Sequence, residues 1–376
     1  MRPWTLRWIA TRRLARATST RFTAPRRPAW STNAPTALTV LRQPLSDVGV
    51  TVAIPVCDGG ELFARTLSAL ACQTVAHELL VCDSGSSDGS VARAREHGAR
   101  VIEIPPREFS HGGTRNLLLE EATGEHVALL TQDAEPADER WLERLLEGFS
   151  TAQEVGIVYG PYIPRPDAAP AVRWEIERWF SSLSPDGEPR VERLGAEERA
   201  LPVLELLGAR GFFTDANACI SRAAWAEAPF RDVPYAEDRV LAIDMLRAGY
   251  AKAFVPDAAV LHSHDYTAGE QLRRSFDEWR SLREVYGWRE PASPVRLAGQ
   301  LRGALGQARR AALREGMSPA RRRATLATVG RHQVLRLTGA LLGSRADRLP
   351  PAVRRGLSLE RRAGFDPLEL DTQRKR

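Results

Sequence analysis

Two short strings in this chain hold residue types suited to moving a proton and holding a cation. The first is Tyr235-Ala236-Glu237-Asp238; the second is His262-Ser263-His264. The apolar run after Asp238 has helical spacing through Leu246 and stops at Gly249. Glycine commonly terminates helices, so the spacing predicts a helix with both acids in its first turn. The positive end of a helix favours ionised carboxylates there. Such a carboxylate at a cleft edge can accept a proton from a hydroxyl group. His262 and His264 are two residues apart after apolar Val260-Leu261; in a strand, that spacing aims both rings at one point. Two convergent imidazoles suit a divalent cation or a phosphate.

A second set of candidates follows short apolar runs. Val50–Val56 ends at Asp58-Gly59-Gly60, Leu79–Cys82 ends at Asp83-Ser84-Gly85-Ser86, and His126–Leu130 ends at Thr131-Gln132-Asp133. Turn residues Asp, Ser and Gly are ordinary in such places. A carboxylate there can also accept from a base or ribose, while loop amides face a phosphate. Asp133 can ligate Mg²⁺ or Mn²⁺, or cap a helix before Pro136. In His111-Gly112-Gly113-Thr114-Arg115-Asn116 the glycines allow close backbone approach to a ligand, and Arg115 can pair with a phosphate.

These candidates need a scaffold. Between Val50 and about Tyr162, β-branched runs alternate with stretches of helical spacing, which predicts an α/β fold with a parallel sheet and helices on both faces. Ligands bind beyond the carboxyl ends of such strands. Three acids, Asp58, Asp83 and Asp133, are therefore expected along one rim. Residues 164–202 read as an insertion with a helix near Val172–Leu183, and Gln271–Tyr286 as another helix. The chain from Pro294 alternates Leu and Ala with Arg, predicting helices with a basic face.

The 376 residues carry a net charge of +6. Residues 1–46 hold many Arg and no acid, and read as a disordered leader. The division expected is 1–46 leader, 47–290 catalytic domain, 291–376 basic helical region. The basic balance points to anionic lipid or phosphate; there is no interleaving of aromatics as in single-strand binders and no zinc-finger spacing, so nucleic acid is set aside. Cys57, Cys72, Cys82 and Cys219 form no CxxC pair, and a reduced, cytoplasmic setting is expected. Cys57 and Cys82 are expected to be buried small apolar residues.

Taken in order, VTVAIPVCDGG, LLVCDSGSSDGS, EFSHGGTRN, LLTQDAEP, FFTDANACISRAAW, YAEDRVLAIDMLRAGY and VLHSHDYT resemble the motifs of family 2 glycosyltransferases, most nearly bacterial rhamnosyltransferases. The resemblance covers roughly Val50 to Tyr286. It implies the GT-A fold, a Rossmann-like, mostly parallel mixed sheet, here with a helical C-terminal extension. It implies that Pro55, Asp58, Asp83, Ser84, His111, Arg115, Gln132 and Asp133 line the nucleotide-sugar site. Asp133, with His262 and His264, would hold Mg²⁺ or Mn²⁺. Asp238 would be the catalytic base with Glu237 beside it, and Asp215 and Asn217 would face the acceptor. Thr131 stands where the usual DxD motif has its first acid. The implied activity is metal-dependent, inverting transfer of a sugar, L-rhamnose from dTDP-L-rhamnose, to a glycan or lipid-linked glycan. The implied place is the cytoplasm or the inner membrane face, against anionic lipid. A UDP-sugar donor, or an inactive nucleotide-sugar-binding assembly protein, are the alternatives.

Overall fold

The computed structural model describes residues 49–206, 210–233 and 235–359. The first half alternates as the sequence predicts: β1 (Val50–Val56), α1 (Gly60–Ala71), β2 (Glu78–Asp83), α2 (Ser90–Glu96), β3 (Arg100–Glu103), α3 (His111–Glu121) and β4 (His126–Leu130). Next come β5 (Glu135–Pro136), α4 (Trp141–Glu147), β6 (Val155–Tyr159), β7 (Tyr162–Ile163), α5 (Pro170–Leu183) and β8 (Arg190–Glu192). Then follow α6 (Val203–Leu206), β9 (Asn217–Ser221), α7 (Arg222–Glu227), α8 (Glu237–Ala248), β10 (Ala251–Phe254) and β11 (Val260–Leu261). The last helices are α9 (Ala268–Tyr286), α10 (Pro294–Arg314), α11 (Pro319–Gly343) and α12 (Pro351–Leu357). The expected leader, 1–46, lies outside the described residues.

Eight strands form one twisted sheet in the order β3-β2-β1-β4-β9-β6-β10-β8. β3, β2, β1 and β4 run parallel; β9 runs antiparallel between β4 and β6, and β8 antiparallel on the β10 edge. Side chains alternate across a strand, so β1 feeds two cores. Val52, Ile54 and Val56 pack with Phe63 and Leu67 of α1 and with Trp141 of α4. Ala53 belongs to the opposite layer, with Leu118 of α3 and Leu241 and Met245 of α8. Both faces are covered, as a mostly parallel sheet requires.

β5, β11 and β7 form a separate three-stranded sheet. Gly160 makes its junction possible: a Cβ there would meet the Ala258 carbonyl oxygen at 1.7 Å. At the C-terminal end, α11 lies directly on α9. Added Cβ atoms at Gly339 and Gly343 would meet Ser275 Cβ at 2.6 Å and the Phe276 carbonyl oxygen at 2.3 Å. Ser275 Oγ also donates to the Arg336 carbonyl at 2.7 Å. No helix among the described residues is long and apolar enough to cross a membrane.

Candidate active site

The carboxyl ends of β1, β2 and β4 meet at one rim, and hydrogen bonds join them. The Cys57 amide donates to Gln132 Oε1 at 2.8 Å, and Gln132 Nε2 returns a bond to the Cys57 carbonyl. The Asp58 amide donates to Ser86 Oγ, while Asp58 Oδ1 accepts from the Ser87 amide at 2.7 Å. Asp83 is the last residue of β2 rather than the first of the loop. Its carboxylate accepts from the amides of Gly85 and Ser86, so it shapes the loop from within. Ser84 is buried and donates to the Val56 carbonyl. Pro55 lies within β1. Cys82 and Cys219 are buried, but Cys57 is exposed just past the strand, contrary to expectation.

Asp133, His262 and His264 converge. Asp133 Oδ2 is 3.5 Å from both His262 Nδ1 and His264 Nε2, and one ligand atom from each residue falls within 4.8 Å of the others. The histidines are not in a strand, since β11 ends at Leu261. The small sheet does the positioning. Val260 pairs with Pro136 and with Tyr162, Leu261 with Glu135 and with Ile163, and the His262 amide donates to the Ile163 carbonyl at 3.0 Å. The ladder thus delivers His262 beside the segment that carries Asp133. Burial pushes the His262 imidazole down to about 4, against the opposing pull of Asp133, so the ring is neutral at physiological pH. Burial alone would raise Asp133, but the two imidazoles hold it below its ordinary value. His262 Nδ1 is buried without a hydrogen bond. An ionised carboxylate, a neutral imidazole and a buried ring nitrogen without a hydrogen bond fit a divalent cation.

A second cluster surrounds the start of α8. Arg115 of α3 is buried, and its guanidinium donates to Asp215 Oδ1 at 2.9 Å and to Glu237 Oε1 at 3.0 Å. His111 Nδ1 is 3.9 Å from Glu237 Oε1. Asp238 is half-buried, with the Arg239 amide donating to its Oδ1 at 2.7 Å. Burial, then the charge of Asp215, pushes Glu237 up to about 7, although Arg115 opposes this. Burial, Asp215 and Glu237 together raise Asp238 well above the usual carboxylate range. Ala236, the residue before Glu237, has φ 67°. That left-handed backbone is strained for alanine and turns the chain sharply into α8.

Tyr162 joins the two clusters, and no motif marks it. Its ring packs edge-on against His262 with centroids 4.7 Å apart, and its hydroxyl hydrogen-bonds Thr214, next to Asp215. Arg165, three residues on, donates to the Asp133 carbonyl at 2.5 Å. β7 is only two residues long and has no periodicity to read. From the Asp83 loop through Asp58, Gln132, Asp133, His262, Tyr162 and Thr214 to Asp215, Arg115 and Glu237-Asp238, the contacts are continuous.

Four further expectations need correction. Arg115 is held by two carboxylates and is not free to pair with a donor phosphate; Asp215, its partner, is buried too rather than open to an acceptor. Gly112 and Gly113 approach the Arg231 carbonyl and Ser110 Oγ, so these glycines serve packing and the α3 cap, not a ligand. Asn217 is fully buried: it accepts from Trp141 Nε1 at 2.8 Å and donates to the carbonyls of Ala258 and Pro161. It clamps the two sheets together and does not face an acceptor.

Residues 51–191 match the family model described as glycosyl transferase family 2. The O-antigen chain rhamnosyltransferase RfbN of Salmonella typhimurium is 32% identical over 235 residues, 61% of this chain and 70% of that one. This chain belongs to glycosyltransferase family 2. Within the family it falls in the rhamnosyltransferase-like group. The O-antigen chain rhamnosyltransferase WbaN of Salmonella anatum is 31% identical over 204 residues, 53% of this transferase and 61% of its own length. Among solved structures, the mannosyltransferase PcManGT from Pyrobaculum calidifontis, in complex with GDP-Man and Mn²⁺, superposes with a TM-score of 0.49. It is 19% identical to this transferase, covering 81% of it and 91% of its own chain.

Proposed function

We propose that this transferase moves L-rhamnose from dTDP-L-rhamnose to a hydroxyl of a glycan or lipid-linked glycan, with inversion, in cell-surface polysaccharide synthesis. It would work on the cytoplasmic side, at the inner face of the membrane. The sugar and the polysaccharide setting are carried over from the names of RfbN and WbaN, O-antigen chain rhamnosyltransferases; the dTDP carrier and the inner membrane face are what the motif resemblance implies. The mechanism rests on one observation: a cation-fitting triad and a carboxylate of raised proton affinity both act on Tyr162.

In this reading the nucleotide lies along the rim of β1, β2 and β4, with Asp58 and the Asp83–Ser87 loop beneath it. Asp133, His262 and His264 would hold Mn²⁺ or Mg²⁺, which would supply positive charge against the donor's diphosphate. Asp238, ionised, accepts the acceptor's hydroxyl proton. The oxygen's electron pair forms the new bond to the anomeric carbon from the face opposite the diphosphate. The carbon–oxygen bond to the diphosphate breaks, and its electron pair leaves with dTDP. One displacement inverts the centre. Arg115 keeps Glu237 and Asp215 in place beside the base, and the Ala236 turn aims Asp238.

A donor panel read by thermal shift with Mn²⁺ present tests the assignment. dTDP-rhamnose should stabilise the protein by about 2.7 kcal/mol at roughly 100 times its dissociation constant, and UDP-sugars much less. A larger shift with a UDP-sugar would replace the donor; product of retained configuration would refute the displacement.

A further inference from the structure

The C-terminal hairpin has a face that the other described residues leave uncovered. α10 and α11 together contain ten arginines, five in each, and no acid. On α10, Val295, Gly299, Arg302, Gly306, Arg309 and Leu313 recur at intervals of four and three residues, which sets them along one side of the helix. Val295 is 84% exposed and Leu313 51%. The opposite side holds the buried Ala308 and Ala312. A Cβ added at Gly299 or Gly303 would meet nothing within 4 Å, so no other described residue rests on this side of the helix. The nearby acids are turned away from it. Glu290 faces Arg296, and Glu315 is held by Arg173 and Trp174 of α5. Among the described residues, Arg302, Arg309, Arg310 and Arg314 have no ion-pair partner.

We propose that this face of α10 docks the enzyme on an anionic lipid surface. Two aliphatic side chains stand at the ends of the stripe, about 27 Å apart at 1.5 Å per residue, with arginines between them. An interfacial helix combines these features: apolar groups to enter the headgroup boundary and basic groups for lipid phosphates. α10 has no aromatic side chain on which a base could stack, so lipid is favoured over single-stranded nucleic acid. The close packing of α11 on α9 fixes the hairpin to the catalytic unit, so docking α10 also orients the catalytic unit. Through Asp265, which accepts from the Ala169 amide, the start of α5 is tied to the loop that carries His264. The proposal rests on the reading of a membrane-held acceptor and names the surface that would meet that membrane.

The test is co-sedimentation of the full-length protein with vesicles of phosphatidylcholine, alone or mixed with phosphatidylglycerol. Two variants are compared, Arg302→Ala/Arg309→Ala and Val295→Ser/Leu313→Ser. Binding to the mixed vesicles should fall with salt and be absent on pure phosphatidylcholine. Each arginine should carry roughly fivefold in partition, so the double arginine variant should bind about 25-fold more weakly. The serine variant should also bind more weakly, with its salt dependence unchanged. Both should keep the wild-type circular dichroism and wild-type transfer to a water-soluble acceptor. If the variants bind mixed vesicles as well as the wild type, the face is wrong. That includes binding carried by the Arg-rich residues 1–46. Tighter binding of a single-stranded oligonucleotide than of vesicles at the same salt overturns the choice of partner. Vesicle binding without transfer to any acceptor would instead count against the proposed reaction and leave the docking face standing.

Discussion

Replacing Asp238 by Asn should abolish transfer and make the protein more stable. With the proposed base lost, the rate should fall by about 10²–10⁴-fold, with donor-induced thermal shift retained. The stability gain comes from crowded carboxylates. Asp215, Glu237 and Asp238 share one buried corner with a single buried guanidinium, Arg115. Glu237 titrates at about 7 against an ordinary 4.5, so ionising it in the fold costs on the order of 3 kcal/mol above that pH. Asp238 is shifted in the same direction. A carboxylate with raised affinity binds its proton more tightly folded than unfolded. Its cost is therefore absent below about pH 4, grows as pH rises toward 7, and is full above that. Asp238→Asn removes one such group and relieves the other. At pH 8 a gain of on the order of 2 kcal/mol, or a few degrees in Tm, is expected, shrinking to nothing near pH 4. The assay is a melting curve at each pH beside a transfer assay on one preparation. A folded variant that is less stable than wild type at pH 8, or that keeps near-normal turnover, refutes the reasoning.

Other substitutions separate chemistry from scaffolding. Asp133→Ala should weaken donor binding and Mn²⁺ binding together, and added Mn²⁺ should partly restore activity; a chelator without effect on the wild type would remove the cation from the mechanism. Arg115→Met should leave two buried carboxylates unpaired and cost about 3–5 kcal/mol, more at pH 8 than at pH 5, with Lys a poor substitute for the two-pronged contact. Asn217→Ala should cost about 1–3 kcal/mol through the orphaned Trp141 N–H and two carbonyls, and acceptor KM should stay unchanged. Ala236→Gly should relieve about 1 kcal/mol of strain yet lower kcat, because the turn that aims Asp238 becomes loose; an unchanged kcat would mean that the strain has no catalytic role.

Much of this architecture was legible because it obeys short-range rules. β1, β2, β4 and α8 follow apolar periodicity, with Gly249 in the left-handed conformation where the sequence placed the helix stop. The rim acids were legible because parallel strands all end on one side. What escaped was set by long-range pairing. β5, β7 and β11 are two residues each, too short for any pattern, yet they bring Asp133, Tyr162 and His262 together. The expected alternation of His262 and His264 along a strand reached the right convergence by the wrong geometry. Arg115 escapes for a related reason: a sequence reveals a cation near a glycine pair but not the anions that will surround it. Its partners are 100 and 122 residues away, and only the packing of α3 against the start of α8 makes them neighbours. Residues that meet a ligand and residues that hold those residues carry the same side chains. What separates Arg115 and Asn217 from Asp238 is whether the polar atoms are already spent on the fold. Asp238 keeps carboxylate capacity beyond the one backbone bond it accepts, in surroundings that make its ionised form costly, and that is the condition a proton acceptor requires.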